Sequence, residues 1–260
     1  MCSSDLGSGD KVLARLSSTA IAMSKHFLPG ADGSAKGEPG LMGKLGAKTV
    51  VAATLRAVQL LGRQFVLGQN MKEAQRAADS ARKHANLTFS YDMLGEGART
   101  DEDALRYLQS YSDAIDSIAT RAQKTGALEK NDGISIKLSA LHPRYEDAHS
   151  ARVMAELVPR VWTLCEQAAQ ANISLTIDAE EVDRLELSLQ VFEALAARVA
   201  QHHAQWQGFG LALQAYQTRA LELIAHIAAL GRRHGLRFMC RLVKGAYWDA
   251  EIKRAQELGL

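Results

Sequence analysis

Hydrophobic and polar positions fall into two kinds of pattern that meet near residue 86. Before it, Val50, Leu55, Val58, Leu61 and Phe65 recur three to five residues apart, which places them on one stripe of an α-helix. The spacing predicts helices over 49–67 and 72–84, and a weaker one over 11–26. Residues 29–40 are rich in Gly, Pro and small polar side chains and read as a flexible linker. The first ten residues are small, polar and patternless, with neither the basic region nor the apolar core of a signal peptide, and are set aside. After residue 86, short apolar and β-branched runs alternate with longer helical patterns. The runs are Leu-Thr-Phe-Ser-Tyr from Leu87, Ile-Ser-Ile-Lys-Leu from Ile134, Ile-Ser-Leu-Thr-Ile from Ile173, Gly-Phe-Gly-Leu-Ala-Leu from Gly208 and Phe-Met-Cys-Arg-Leu-Val from Phe238. Helices are predicted over 101–122, 151–169, 185–201 and 219–233, and from 249 onward. Leu185, Leu189, Phe192, Ala196 and Val199 show the helical stripe, and Pro159 is expected to kink or restart its helix.

Strands alternating with helices imply a parallel sheet, since parallel neighbours need crossover connections. Either an open doubly wound sheet or a β/α barrel satisfies this, and the five strands counted fall short of the eight in a full barrel. Side-chain parity separates the two. Ile134, Ile136 and Leu138 share one face, as do Ile173, Leu175 and Ile177, and Phe209, Leu211 and Leu213. The opposite face then carries Asp92, Lys137, Asp178, Gln214 and Arg241, one strong polar group near the carboxyl end of each strand. Barrel enzymes collect their catalytic groups at those ends, whereas a doubly wound sheet covers both faces with helices. The expected fold is α/β: a partial (β/α)8 TIM-like barrel of about five units over 87–260, preceded by a flexible segment over 1–40 and a helical arm over 41–86. The plainer alternative is that each polar residue merely ends its strand in water.

Composition narrows the function classes. The chain has 260 residues, 47% hydrophobic and 23% charged, with a net charge of +2 from interspersed cations and acids, which argues against nucleic-acid binding through this segment. No apolar run approaches the ~20 residues of a membrane-spanning helix. Cys2, Cys165 and Cys240 lack metal-ligand spacing; Cys165 and Cys240 lie among apolar residues and are expected to be buried thiols in a reducing, cytoplasmic setting. The acids Glu180, Glu181, Asp183 and Glu186 read as the start of a helix, where they favour the positive dipole end, and not as a metal site. His142, with Pro143 and Arg144, reads as a loop cap.

Longer motifs point further. Gly-Ile-Ser-Ile-Lys-Leu-Ser-Ala-Leu-His-Pro-Arg-Tyr from Gly133, Ile-Asp-Ala-Glu-Glu-Val-Asp-Arg-Leu-Glu from Ile177 and Arg-Leu-Val-Lys-Gly-Ala-Tyr-Trp-Asp from Arg241 closely resemble the proline dehydrogenase family, as found in bifunctional proline utilization A proteins. Ser-Tyr-Asp-Met-Leu-Gly-Glu from Ser90 matches it too, and the resemblance runs from about Glu38 to Leu260. It implies a flavin-containing β/α barrel that oxidises L-proline to Δ1-pyrroline-5-carboxylate, with FAD as cofactor and a membrane quinone as electron acceptor. By the same resemblance, Arg241 hydrogen-bonds the flavin near its reactive nitrogen and Gln214 contacts its ring. Val243, Gly245 and Ala246 line the cofactor, Trp248 packs on the flavin, and Tyr247 walls the substrate pocket. Lys137 helps hold the proline carboxylate, Asp178 is an active-site carboxylate beside cofactor and substrate, and Asp92 belongs to the same cluster. Glu96 resembles an acid that pairs with a substrate-binding arginine and gates the site.

That arginine belongs to an Arg-Arg clamp on a later helix of the family, which is not found before Leu260, so the chain is expected to be a barrel cut short and inactive alone. Neither a DNA-binding module nor an aldehyde dehydrogenase domain is read in it. The whole protein is expected to be a homo-oligomer with peripheral membrane contact. Two other readings stay open: a Schiff-base aldolase using Lys137 or Lys244 as nucleophile, and an inert fragment that only binds partners.

Overall fold

The computed structural model describes residues 51, 52, 54–56, 62, 66–93 and 95–260. The chain divides into two units, residues 1–81 and 82–260. In the first, residues 51, 52, 54–56 and 62 are helical, within the helix expected over 49–67. Helix α1 (Met71–Arg82) follows, close to the expected 72–84. Asn70 starts it by accepting the Glu73 N–H at 3.0 Å on its side-chain oxygen, while the Glu73 carboxylate accepts the Gln69 N–H at 3.1 Å. The expected helix over 11–26 and the linker over 29–40 lie outside the described residues.

The second unit is a run of strand–helix pairs: β1 (Ser90–Asp92), α2 (Asp101–Ala119), β2 (Gly133–Ile136), α3 (Ser150–Gln170), β3 (Leu175–Ile177), α4 (Leu185–His202), β4 (Phe209–Gln214), α5 (Ala220–His234), β5 (Met239–Val243) and α6 (Trp248–Leu258). All five strands are parallel and lie side by side in chain order. A doubly wound sheet reverses its order at a switch point, and this one does not. The sheet also curls. Arg241 on β5 donates to the Ser135 hydroxyl on β2 at 2.6 Å, across three inter-strand steps that would separate them by about 14 Å if the sheet were flat. The expected partial barrel is what the strands form.

The outer face of the sheet is the core. Ile134, Ile136, Leu175, Ile177, Phe209 and Leu213 are almost fully buried, as are Leu157, Val161 and Leu164 of α3 and Val191, Phe192 and Leu195 of α4. Phe192 stacks on Phe209 with ring centroids 4.7 Å apart, and Phe238 meets Phe192 edge-on at 5.0 Å.

Three expectations need correction. Pro159 does not restart its helix, the second of the two outcomes expected for it: α3 runs as one helix through it, because one missing N–H matters less than the buried row of Leu157, Val158, Val161 and Leu164. Cys165 is buried as expected, but Cys240 is exposed. It lies on the outer face of β5 near Leu242, which is 59% exposed, and β5 is paired on one side only among the described residues. Finally, β2 ends at Ile136, so Leu138 sits in a helical turn (Leu138–Ala140) and not in the strand.

Candidate active site

Strand register sets the positions of the polar groups. Asp92 stands across from Ser135, Ser135 from Thr176, Thr176 from Gly210, and Ala212 from Arg241. Every one of these faces inward, and Lys137 and Asp178 follow at the next inward positions of β2 and β3. The result is one connected network. The Lys137 ammonium donates to Asp92 at 2.8 Å and to Asp178 at 3.3 Å. Arg241 donates to the other Asp178 oxygen at 3.0 Å and to Ser135, whose hydroxyl lies 3.0 Å from that of Ser90. Asp178 is therefore held between two cations, with 17% of its side chain exposed.

These groups perturb one another. Burial alone lowers the Lys137 ammonium, but the bonds and charges of Asp92 and Asp178 outweigh it and leave the lysine above its ordinary value. Burial raises the Asp178 carboxyl, with Lys137 and Arg241 pulling against it. An unexpected partner stands behind Lys137: the phenol of Tyr111, buried on α2, accepts the Lys137 main-chain N–H at 3.1 Å.

Gln214 is buried on the same face but bonds elsewhere. Its amide NH2 donates to the Glu180 carbonyl at 2.9 Å, and its oxygen accepts the Ala246 N–H at 3.3 Å, so it ties the turns after β3 and β5 together. Val243 lies opposite it in register. Gly245 has φ +118°, and a Cβ there would stand 2.2 Å from the Tyr216 ring. Its glycine is thus required by this chain's own packing. Tyr247 reaches the exposed Glu96 at 3.5 Å, and burial raises its phenol. Trp248 opens α6 with 53% of its surface exposed.

Glu180 departs from expectation. The helix begins at Leu185, so Glu180 is no helix-start acid. It is buried, accepting the Ser139 N–H at 3.0 Å and Arg184 at 3.3 Å. Burial raises its carboxyl, and those donors pull it down. Its even spacing from Asp178 was the signal that could have found it; nothing comparable marks Tyr111. His142 does cap its loop, accepting the Arg144 N–H at 3.1 Å while its other ring nitrogen lies 3.2 Å from Glu156. A hollow of about 470 Å³ opens on the amino-terminal side of the network and is bordered by Ser90, Gly133, Thr176, Met239 and Arg241.

Known proteins share this fold. The chain is 46% identical over 222 residues to the bifunctional protein PutA of Klebsiella aerogenes and 45% identical over 220 residues to that of Rhizobium meliloti. Each match covers 85% of this chain but only 16% and 17% of the relatives, so the chain spans about a sixth of their length. A crystal structure of a Bradyrhizobium japonicum proline utilization A variant superposes with a TM-score of 0.70 at 44% identity, over 99% of this chain and 26% of that one. The Bdellovibrio bacteriovorus protein, at 21% identity and a TM-score of 0.74, shares the fold. The family model of proline dehydrogenase matches residues 74–260, the stretch that carries every strand among the described residues and every group of the polar network, and the chain belongs to the proline dehydrogenase family.

Proposed function

We propose that the protein carrying this chain oxidises L-proline to Δ1-pyrroline-5-carboxylate. In this reading a bound FAD supplies the acceptor for the hydride leaving the ring carbon next to nitrogen, and a quinone receives the electrons afterwards. The observation that carries it is the Asp178 carboxylate held between Lys137 and Arg241 on a curled inner face.

The residues fit a flavin. Arg241 spends only one guanidinium nitrogen on Ser135 and Asp178 and remains 40% exposed, so a fixed cation and further donors are available where negative charge develops. Gly210 and Ala212 give the inner face of β4 short side chains beside it. Trp248 offers an exposed indole, and the Gln214 amide, bonded once at each end, keeps one donor and one lone pair. Val243, Gly245 and Ala246 would border the cofactor. Lys137 has three donors, two of them used, and the third suits a substrate carboxylate. Asp92 and Asp178 keep that ammonium charged and aimed, while Tyr247 and Glu96 would close the substrate side. Burial lowers the Lys137 ammonium, but Asp92 and Asp178 outweigh it and hold the lysine above its ordinary value, the opposite of what a Schiff-base aldolase would need.

The family's quinone contact at the membrane surface, cytoplasmic setting and homo-oligomeric state are proposed for the whole protein only. So is the division into a flexible segment to residue 40, a helical arm to 86 and the barrel beyond. Among the described residues no helix is long and apolar enough to cross a membrane. In the intact protein, Arg241→Ala is expected to lose bound flavin or about a hundredfold in turnover. Lys137→Ala is expected to raise the proline KM about tenfold or more with a smaller change in kcat. Unchanged kinetics in both would remove these roles. The 260-residue chain alone, with β1 and β5 each paired on one side, is expected to show little proline-dependent dye reduction; robust reduction by it would refute that.

A further inference from the structure

We propose that Glu180 is a positioning residue for the proline-oxidising site, closing the turns that follow all five strands into one hydrogen-bonded ring. The inference rests on the function proposed above, and the ring itself rests on contacts alone. After β1, the N–H groups of Gly97 and Ala98 donate to the Ser139 hydroxyl at 3.1 Å and the Ser139 carbonyl at 2.9 Å. The Ser139 N–H, after β2, donates to the Glu180 carboxylate at 3.0 Å. The Glu180 carbonyl, after β3, accepts from Gln214 at the end of β4, and Gln214 accepts the Ala246 N–H after β5. Tyr247 then reaches Glu96 at 3.5 Å, one residue before Gly97, and the circuit closes.

Each member of the ring is a short step from a group of the polar network or of the site mouth. Ser139 lies two residues beyond Lys137, Glu180 two beyond Asp178, and Ala246 next to Tyr247. A rigid ring therefore transmits its geometry to the Lys137–Asp178–Arg241 contacts. Glu180 is poorly replaced by water, because only 5% of its side chain is exposed and its two oxygens take a main-chain N–H and the Arg184 guanidinium. The Glu180 carboxylate ties the turn after β2 to the turn after β3, and its main-chain carbonyl continues the tie to Gln214 at the end of β4. Positioning of this kind matters because small displacements of catalytic groups cost rate far more than they cost stability.

The test is made on the intact protein with three variants. Glu180→Gln keeps length and an acceptor for the Ser139 N–H, and is expected to stay within about threefold of wild-type kcat/KM. Glu180→Ala removes the acceptor, and Glu180→Asp withdraws it by one methylene while keeping the fold's charge. Both are expected to lose about tenfold or more in kcat/KM, mainly through KM for proline. Amide exchange at residues 95–100 and 138–141 should speed up about tenfold in the Ala and Asp variants, with α3 unchanged. Should Glu180→Ala fail to fold, the Asp and Gln pair carries the comparison. Wild-type kinetics and wild-type exchange in the Asp variant would overturn the proposal, as would a Gln variant as impaired as the Asp variant. If the wild type itself does not oxidise proline, the function proposed above fails, while the exchange result still decides whether Glu180 holds the ring.

Discussion

Asp178 and Glu180 are two acids on one turn with different surroundings. Asp178 meets two cations, so its burial is matched by opposite charge; Glu180 meets the Ser139 N–H and hydroxyl and Arg184, with Glu181 and Tyr145 nearby. Burial leaves the folded-state value of Glu180 above its ordinary 4.5. A raised carboxyl contributes stability that is fully present below its unfolded value and is lost as pH rises through the folded value. The melting temperature of Glu180→Gln relative to wild type should therefore climb as pH rises from about 4 to neutral. Melts showing the opposite trend would contradict the burial assigned to this side chain. Parity along the strands was enough to find Asp92, Lys137, Asp178, Gln214 and Arg241 on one face, because alternation is a local rule. It could not find Tyr111, whose phenol arrives from a helix, nor say that Gln214 would spend its amide on two turns. Those partners depend on how helices and turns dock, which no single strand encodes.

The five strands and their crossover helices were legible as elements because β-branched runs and helical stripes differ in period. Their ends were less so. The run from Leu87 forms pairs only from Ser90, and the one from Ile173 only from Leu175, since pairing stops where the neighbouring strand stops. Helix α2 shows what a strong local signal does: Thr100 accepts the Asp103 N–H at 3.1 Å and Asp103 accepts the Thr100 N–H at 3.1 Å, a reciprocal cap that sets its first residue where expected. Thr100→Ala should cost about 1 kcal/mol locally, read as about fivefold faster amide exchange in the first turn of α2. Unchanged exchange there would mean the cap contributes nothing beyond its neighbours. Pro159 is the opposite case, a helix-ending signal overruled by the packing of the helix around it.

At the scale of the whole second unit, chain-order pairing and curl are what turn five separate polar residues into one site. A flat sheet would leave Arg241 and Ser135 on strands too far apart to touch, and the bond between β5 and β2 would be lost. The sequence motifs carry the family, but the curl explains why residues 106 positions apart on β2 and β5 meet in a hydrogen bond. The proposed proline-oxidising function stands on that convergence. Its most direct test is an anaerobic titration of the intact purified protein with L-proline, following the visible absorbance of bound flavin. The expected result is a yellow protein that bleaches as proline is added, with Lys137→Ala needing more proline to bleach. A flavin that proline leaves coloured, or a colourless protein, would contradict it.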